Sequence, residues 1–131
     1  MSFELDLRTR LIDDAAVGAR VGTAVYWRIR PQNGTIPAIV LTIISDPRPQ
    51  HLEGFHALRD TRVQLDCYGR TYDETVALRE DVITAIAPYA RVGDTRFDHA
   101  EIENVLDRGD DTATAFQHCH AIDATIWHGK E

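Results

Sequence analysis

Residues 60 to 68, DTRVQLDCY, alternate between polar and apolar positions. Val63, Leu65 and Cys67 fall on one side, and Arg62, Gln64, Asp66 and Tyr68 on the other. This is the period-2 pattern of a strand with one buried face. Residues 38 to 45, AIVLTIIS, carry a stronger signal. Ile39, Leu41 and Ile43 point one way, Val40 and Ile44 the other, so the strand is central or has its second face covered by a neighbouring subunit. A shorter strand is predicted over 24 to 30, AVYWRIR, stopped by Pro31 and the turn-forming pair Asn33-Gly34. Two long strand-like runs, 95 to 107 and 113 to 127, flank Arg108-Gly109-Asp110-Asp111, a hairpin turn.

Two segments carry the helical period instead. Residues 3 to 16 follow a candidate N-cap, Ser2, with acids in the first turn. Leu5, Ile12 and Ala16 mark one side of this helix, widened by Leu7 and Leu11, and Gly18 and Gly22 then loosen the chain. The second helix opens on Thr71 with Glu74, a capping box, and stops before Pro88. Tyr72, Val76, Ile83 and Ile86 share its apolar face, with Val82 at the edge. Arg79 projects into that face, so it pairs with an acid, snorkels to water or meets a partner chain. Residues 46 to 58, DPRPQHLEGFHAL, read as a loop of a length that is uncommon in small domains and often functional. The order α-β-β-β-α-β-β describes an α+β fold: a mostly antiparallel sheet, neighbours joined by hairpins, two helices packed on one face, and a single domain over residues 1–131.

Composition narrows the function classes. Fourteen basic against twenty-one acidic residues give a net charge of −7, which leaves no basic footprint for nucleic acid. Thirteen of the fourteen basic residues are arginine. That reflects genomic base composition, or a use for planar bidentate contacts at interfaces. The start, MSFELDLRTR, reads against a secretory leader, and the apolar run IPAIVLTII is too short to span a bilayer. The expectation is a soluble intracellular protein with no membrane partner, whose two cysteines, Cys67 and Cys119, stay reduced and packed.

Catalytic chemistry finds little support. His118 and His120 share a strand face roughly 7 Å apart, and His99 on the preceding strand could add a third metal ligand. The ordinary reading makes them polar positions on a sheet face or at a subunit contact. Only Ser2 and Ser45 are serines, and neither sits in a nucleophile elbow. Cys67 has the strand parity of a buried, inert thiol. Neither GRTYDE nor VGARVG matches a phosphate-binding loop. The acids Asp98, Glu101, Glu103, Asp107, Asp110 and Asp111 lack calcium-loop spacing. They form a solvated rim, or a surface facing a channel or partner. Strong strands, a long loop and no site argue for assembly.

Three stretches carry a family resemblance over most of the chain. They are the first helix leading to ARVGTAVY, the proline-bearing RPQNGTIPAIVLTIIS, and RVQLDCYGRTYDETVALREDVITAI, a strand ending in an aromatic before a capped helix with an Ala-Leu-Arg centre. The pattern resembles the tail completion, or tail-to-head joining, proteins of long-tailed phages, prophages and gene transfer agents. The resemblance implies a structural virion protein made in the host cytoplasm, not an enzyme, with no cofactor or metal. It implies a hexameric ring at the head-proximal end of the tail tube, with tail tube protein and head connector as partners and DNA passing through the lumen. The family has no catalytic residues to carry over. Pro47, Arg48, His51 and Phe55 of the long loop, with Arg79, are the candidate contact residues. Two rivals stand beside it: a small metal-dependent enzyme built on His118, His120 and His99, and a soluble binding module outside any virus.

Overall fold

The structure is a computed structural model that describes residues 2–31, 34–48, 50–51, 54–55, 58–112 and 115–130, with backbone alone at 50, 51, 54 and 55. The elements are α1 (Phe3–Asp13), α2 (Ala15–Val21), β1 (Val25–Trp27), β2 (Ala38–Ser45), β3 (Gln50–His51), β4 (Gly54–Phe55), β5 (Leu58–Gly69), α3 (Tyr72–Ile86), β6 (Ala90–Val92), β7 (Thr95–Asp107), β8 (Asp110–Asp111) and β9 (Phe116–Lys130).

The predicted first helix breaks in two at Asp14. Its backbone N–H closes α1 on the Arg10 carbonyl at 3.1 Å, while its carboxylate accepts from the Val17 N–H at 3.0 Å and caps α2. An aspartate serves both purposes because it prefers caps to helix interiors. Gly18 makes the resulting corner possible, since a Cβ there would run into the Ile12 carbonyl. The buried face of α1 keeps the predicted Leu7 and Leu11 but is centred away from Leu5 and Ile12. Phe3, Leu7 and Leu11 are buried, with Asp6 and Arg10 beside them, while Leu5 is exposed.

The main sheet has the order β1-β2-β5-β9-β7-β6, with β8 paired to β9. All pairs are antiparallel except β1–β2. The expectation of neighbours joined by hairpins fails at the centre. β5 pairs along its whole length with β9, and α3, β6 and β7 intervene in sequence. The most continuously buried strand thus takes the middle position, where burial on both sides is greatest. Within 46 to 58, β3 and β4 form a two-stranded pair rather than a plain loop.

All three helices lie on one face of the sheet, one more than the predicted two. Ile39, Leu41, Val63, Leu65, Cys67, Ile122, Ala124 and Ile126 line that face and join Leu7, Leu11, Val17, Leu78 and Val82 in one core. Each large aliphatic side chain removed from water there contributes about 1.5–3 kcal/mol. The face of β2 that turns away from the helices is covered in part by the chain itself. A parallel β1–β2 pair forces the connection to run back along the sheet. Arg30, on that connection, stacks over Tyr68 at 5.0 Å, and Val40 nearby is buried.

The β5–α3 corner follows the capping box. The Thr71 hydroxyl accepts from the Glu74 N–H at 3.1 Å, and the Glu74 carboxylate accepts from the Arg70 N–H at 2.8 Å. Thr75 packs so tightly under Gly69 that a Cβ at 69 would overlap its hydroxyl. The buried stripe of α3 is Thr75, Leu78, Val82, Ala85 and Ile86, rotated by about a quarter turn from the predicted face. Thr75 conceals the true stripe in sequence: it is polar, yet it is buried at no cost in hydrogen bonding because its hydroxyl donates to the Thr71 carbonyl at 2.7 Å.

Candidate assembly surface

The predicted contact residues do not form one patch. Pro47 and Arg48 are exposed at the end of β2. His51 and Phe55 lie on the β3–β4 pair, where only the backbone is described. Arg79 lies far along the chain on α3.

Arg48 is engaged within the chain. Asp46 accepts hydrogen bonds from its Nη2 at 2.8 Å and its Nε at 3.2 Å, from Arg59, and from the Thr61 hydroxyl at 3.0 Å. Burial alone would raise the Asp46 pKa, but these donors outweigh it and hold the carboxyl below its ordinary value. Thr61 spends its single proton on Asp46, so its oxygen must accept from His128 Nε2, 2.7 Å away. His128 is therefore the neutral Nε2–H tautomer, stacked on Phe3 at 3.9 Å. Burial, aided by Arg59, pushes its pKa down to about 4. This network anchors the base of the 46–58 segment and leaves one buried donor, Arg59 Nε, without a partner. No local pattern in the sequence announces it, because Asp46 follows β2 while Thr61 is on β5 and His128 on β9.

Arg79 sits beside the buried stripe of α3 rather than within it. Its Nε donates to Glu80 at 2.9 Å, and its Nη1 lies 3.1 Å from His120 Nδ1. Arginine only donates, so His120 Nδ1 accepts and the ring carries its proton on Nε2, which faces Asp107 at 3.7 Å. Burial lowers the His120 pKa; Asp107 opposes this, and Arg79 and His118 reinforce it. Tyr72 lies edge-on to His120 at 5.3 Å, and Phe116 to His118 at 4.9 Å. Tyr72 and Phe116 are each about half exposed, at 53% and 50%.

The histidine metal site does not assemble. His118 and His120 do share a strand face, but His99 is on the opposite face, stacked on Trp127 at 4.6 Å and 11°. Seven to nine strand positions separate Trp127 from His120 and His118, which puts His99 roughly 23–30 Å along the strand from that pair. Among the described residues, no group of three or more His, Cys, Asp or Glu could hold a metal ion. Both cysteines are free and buried. Burial pushes the Cys67 thiol up, and Cys119 up to about 11, so neither is poised as a nucleophile.

Both edges of the sheet present open surfaces. Along β7, Glu101, Glu103, Asn104 and Leu106 are exposed, two of them acidic. At the other sheet edge a cleft of about 650 Å³ is lined by Leu5, Trp27, Arg28, Leu41, Thr42 and Ile43. Ile29 and Ile44 stand 75% and 51% exposed next to lining residues in the chain.

A family model described as Tail completion protein gp17 matches residues 6–123. The chain belongs to the tail completion protein family. That family is a structural component of virions and not an enzyme family, so the chain is a structural tail protein of a phage-like particle. The fold agrees with membership. A chain in a solved structure titled "Virion of native gene transfer agent (GTA) particle" superposes with a TM-score of 0.61 at 15% identity, covering 98% of this chain and 96% of that one. At that identity the likeness is one of fold. No curated protein sequence matches this tail completion protein. In this chain no helix is long and apolar enough to cross a membrane, among the described residues.

Proposed function

We infer that this tail completion protein forms a ring, six copies around, at the head-proximal end of a tail tube. The ring stops tube growth and presents the surface that meets the head connector, and the genome passes through its lumen. The observation that carries this reading is the family match over residues 6–123. The charge supports it: at −7, the chain repels a phosphate backbone, so DNA slides past instead of sticking. The whole chain, 1–131, acts as one domain in this role. The 46–58 segment, with Pro47 exposed at its start and His51 and Phe55 on its strand pair, is one contact surface toward the tube or the connector. Arg48 serves that surface indirectly, by holding Asp46 in place, while Arg79 lies beside His120 at the other end of β9 and is a separate candidate contact.

Light scattering of the purified protein, alone and with tail tubes, tests the ring. The expected outcome is a hexamer, or assembly on contact with tube ends. A strict monomer that ignores tube ends contradicts it. The metal-enzyme reading has no geometry behind it, since His99 and His118 lie on opposite faces of the sheet.

A further inference from the structure

β7 runs for 13 residues, but β6 pairs only with Thr95, Arg96 and Phe97 on its outer side. From Asp98 to Asp107 the strand has β9 on one side and, among the described residues, no strand on the other. Unpaired backbone N–H and C=O groups on such an edge are a template for another strand. The side chains decide which strand. Glu101 and Glu103 are exposed, with Glu103 close enough to Arg62 to act on it electrostatically. Two register shifts, between Phe97 and His99 and between Ile102 and Asn104, add local twist. Two-fold pairing of β7 with itself would set like charges against each other, which is unfavourable. The edge therefore suits a different, less acidic partner edge.

The same chain offers one. β1 pairs only with Ile39, Val40 and Leu41, so Thr42–Ser45 of β2 have no strand on that side among the described residues. The backbone turns away there at Arg28, whose N–H donates to the Leu41 carbonyl at 2.7 Å and whose φ is +74°. Arg28 and Ile29 are exposed at this end, above the apolar cleft. Glu4 shares the cleft, but Arg48 lies near enough to offset it. Strand directions also fit. β2 and β9 run the same way, since both are antiparallel to β5, and β7 runs opposite to β9. In copies related by rotation about an axis along the strands, β7 of one meets β2 of the next antiparallel.

We propose that the Asp98–Asp107 edge of β7 on one copy adds to the Thr42–Ser45 edge of β2 on the next, with its Ile102 and Val105 against the apolar cleft. Its acidic side chains, on the other sheet face, are drawn electrostatically by the exposed Arg28 at the rim of that edge. The contact uses two different patches, so it is heterologous and closes into a ring by rotation. The proposal rests on the ring reading above and names the surface that makes it.

Three variants test it by light scattering with tail tubes: E101R/E103R, R28E, and the charge swap that combines them. E101R/E103R and R28E are each expected to weaken assembly by about a hundred-fold or more, and the swap to restore most of it. Hydrogen exchange on the wild type gives a readout that needs no variant. Outward amides of 98–107 and 42–45 are expected to slow on assembly, while those of α3 do not. Rings in which neither edge slows, or variants that assemble like the wild type, overturn this contact and leave the ring reading standing. A wild type that stays monomeric beside tube ends overturns both.

Discussion

Strand β9 carries a buried histidine near each end, and the two are held differently. His128 is locked into a set of partners: Phe3 on its face, Thr61 on its Nε2–H, and Asp46 beyond, itself satisfied by two arginines. His120 is held by one good contact, from Arg79, with Asp107 at a distance too long for a hydrogen bond and half-exposed aromatics around it. One residue type on one strand thus serves two ends of the molecule, one finished internally and one partly open. Each ring makes one hydrogen bond, and both residues are 2% exposed, so what separates them is the partner's own anchoring. Thr61 is tied on to Asp46, whereas Arg79 reaches only the exposed Glu80.

The largest expected effect comes from cutting the His128 network. Thr61→Val strands the His128 Nε2–H and removes one donor from Asp46, at a cost of about 3 kcal/mol in urea unfolding. Next is acid. His128 titrates at about 4 when folded, below the usual value for an exposed imidazole, so the unfolded chain takes up a proton first as pH falls. Stability is therefore full above the unfolded pKa and declines as pH drops toward 4, by about 3 kcal/mol from this group. Loss of the Asp46 charge at still lower pH acts in the same direction. In His128→Phe the slope over that window is expected to flatten, as read by thermal melting at a series of pH values.

At the open end the effects are smaller. Arg79→Met removes one part-buried hydrogen bond, costing about 1 kcal/mol, and leaves ring assembly intact. It also removes a positive charge that lowers the His120 pKa, so that pKa is expected to rise in an NMR titration. Loss of assembly at unchanged stability would instead place Arg79 in the interface. The smallest effect belongs to Arg48→Ala. Its guanidinium is exposed, Asp46 keeps Arg59 and Thr61, and the melting temperature is expected not to move measurably.

The strands were legible where alternation or continuous apolarity is a local signal. β2 matches its predicted span residue for residue, as does β7. The Thr71–Glu74 capping box was legible for the same reason, because its hydrogen bonds join residues three and four apart. Helix faces were less so. A stripe is read from apolar side chains, and both buried stripes include polar residues: Asp6 bonded to Thr95 at 2.6 Å, Arg10 over the Phe97 ring at 5.0 Å, and Thr75 bonded to its own helix. Those partners lie up to 89 residues away. The candidate contact residues fared similarly, for nothing near Arg48 or Arg79 in the chain points to Asp46's other partners or to His120.

Local chemistry was enough to set the class of this protein: which segments extend, which coil and where α3 begins. It was also enough to suggest the family, since a strand, a tight corner and a capped helix are each written in neighbouring residues. The pairing of β5 with β9, the parallel β1 and the unpaired flank of β7 came from the packed chain alone. An edge is defined by the absence of a neighbour, and which strand lacks one depends on how all the others compete for the centre of the sheet.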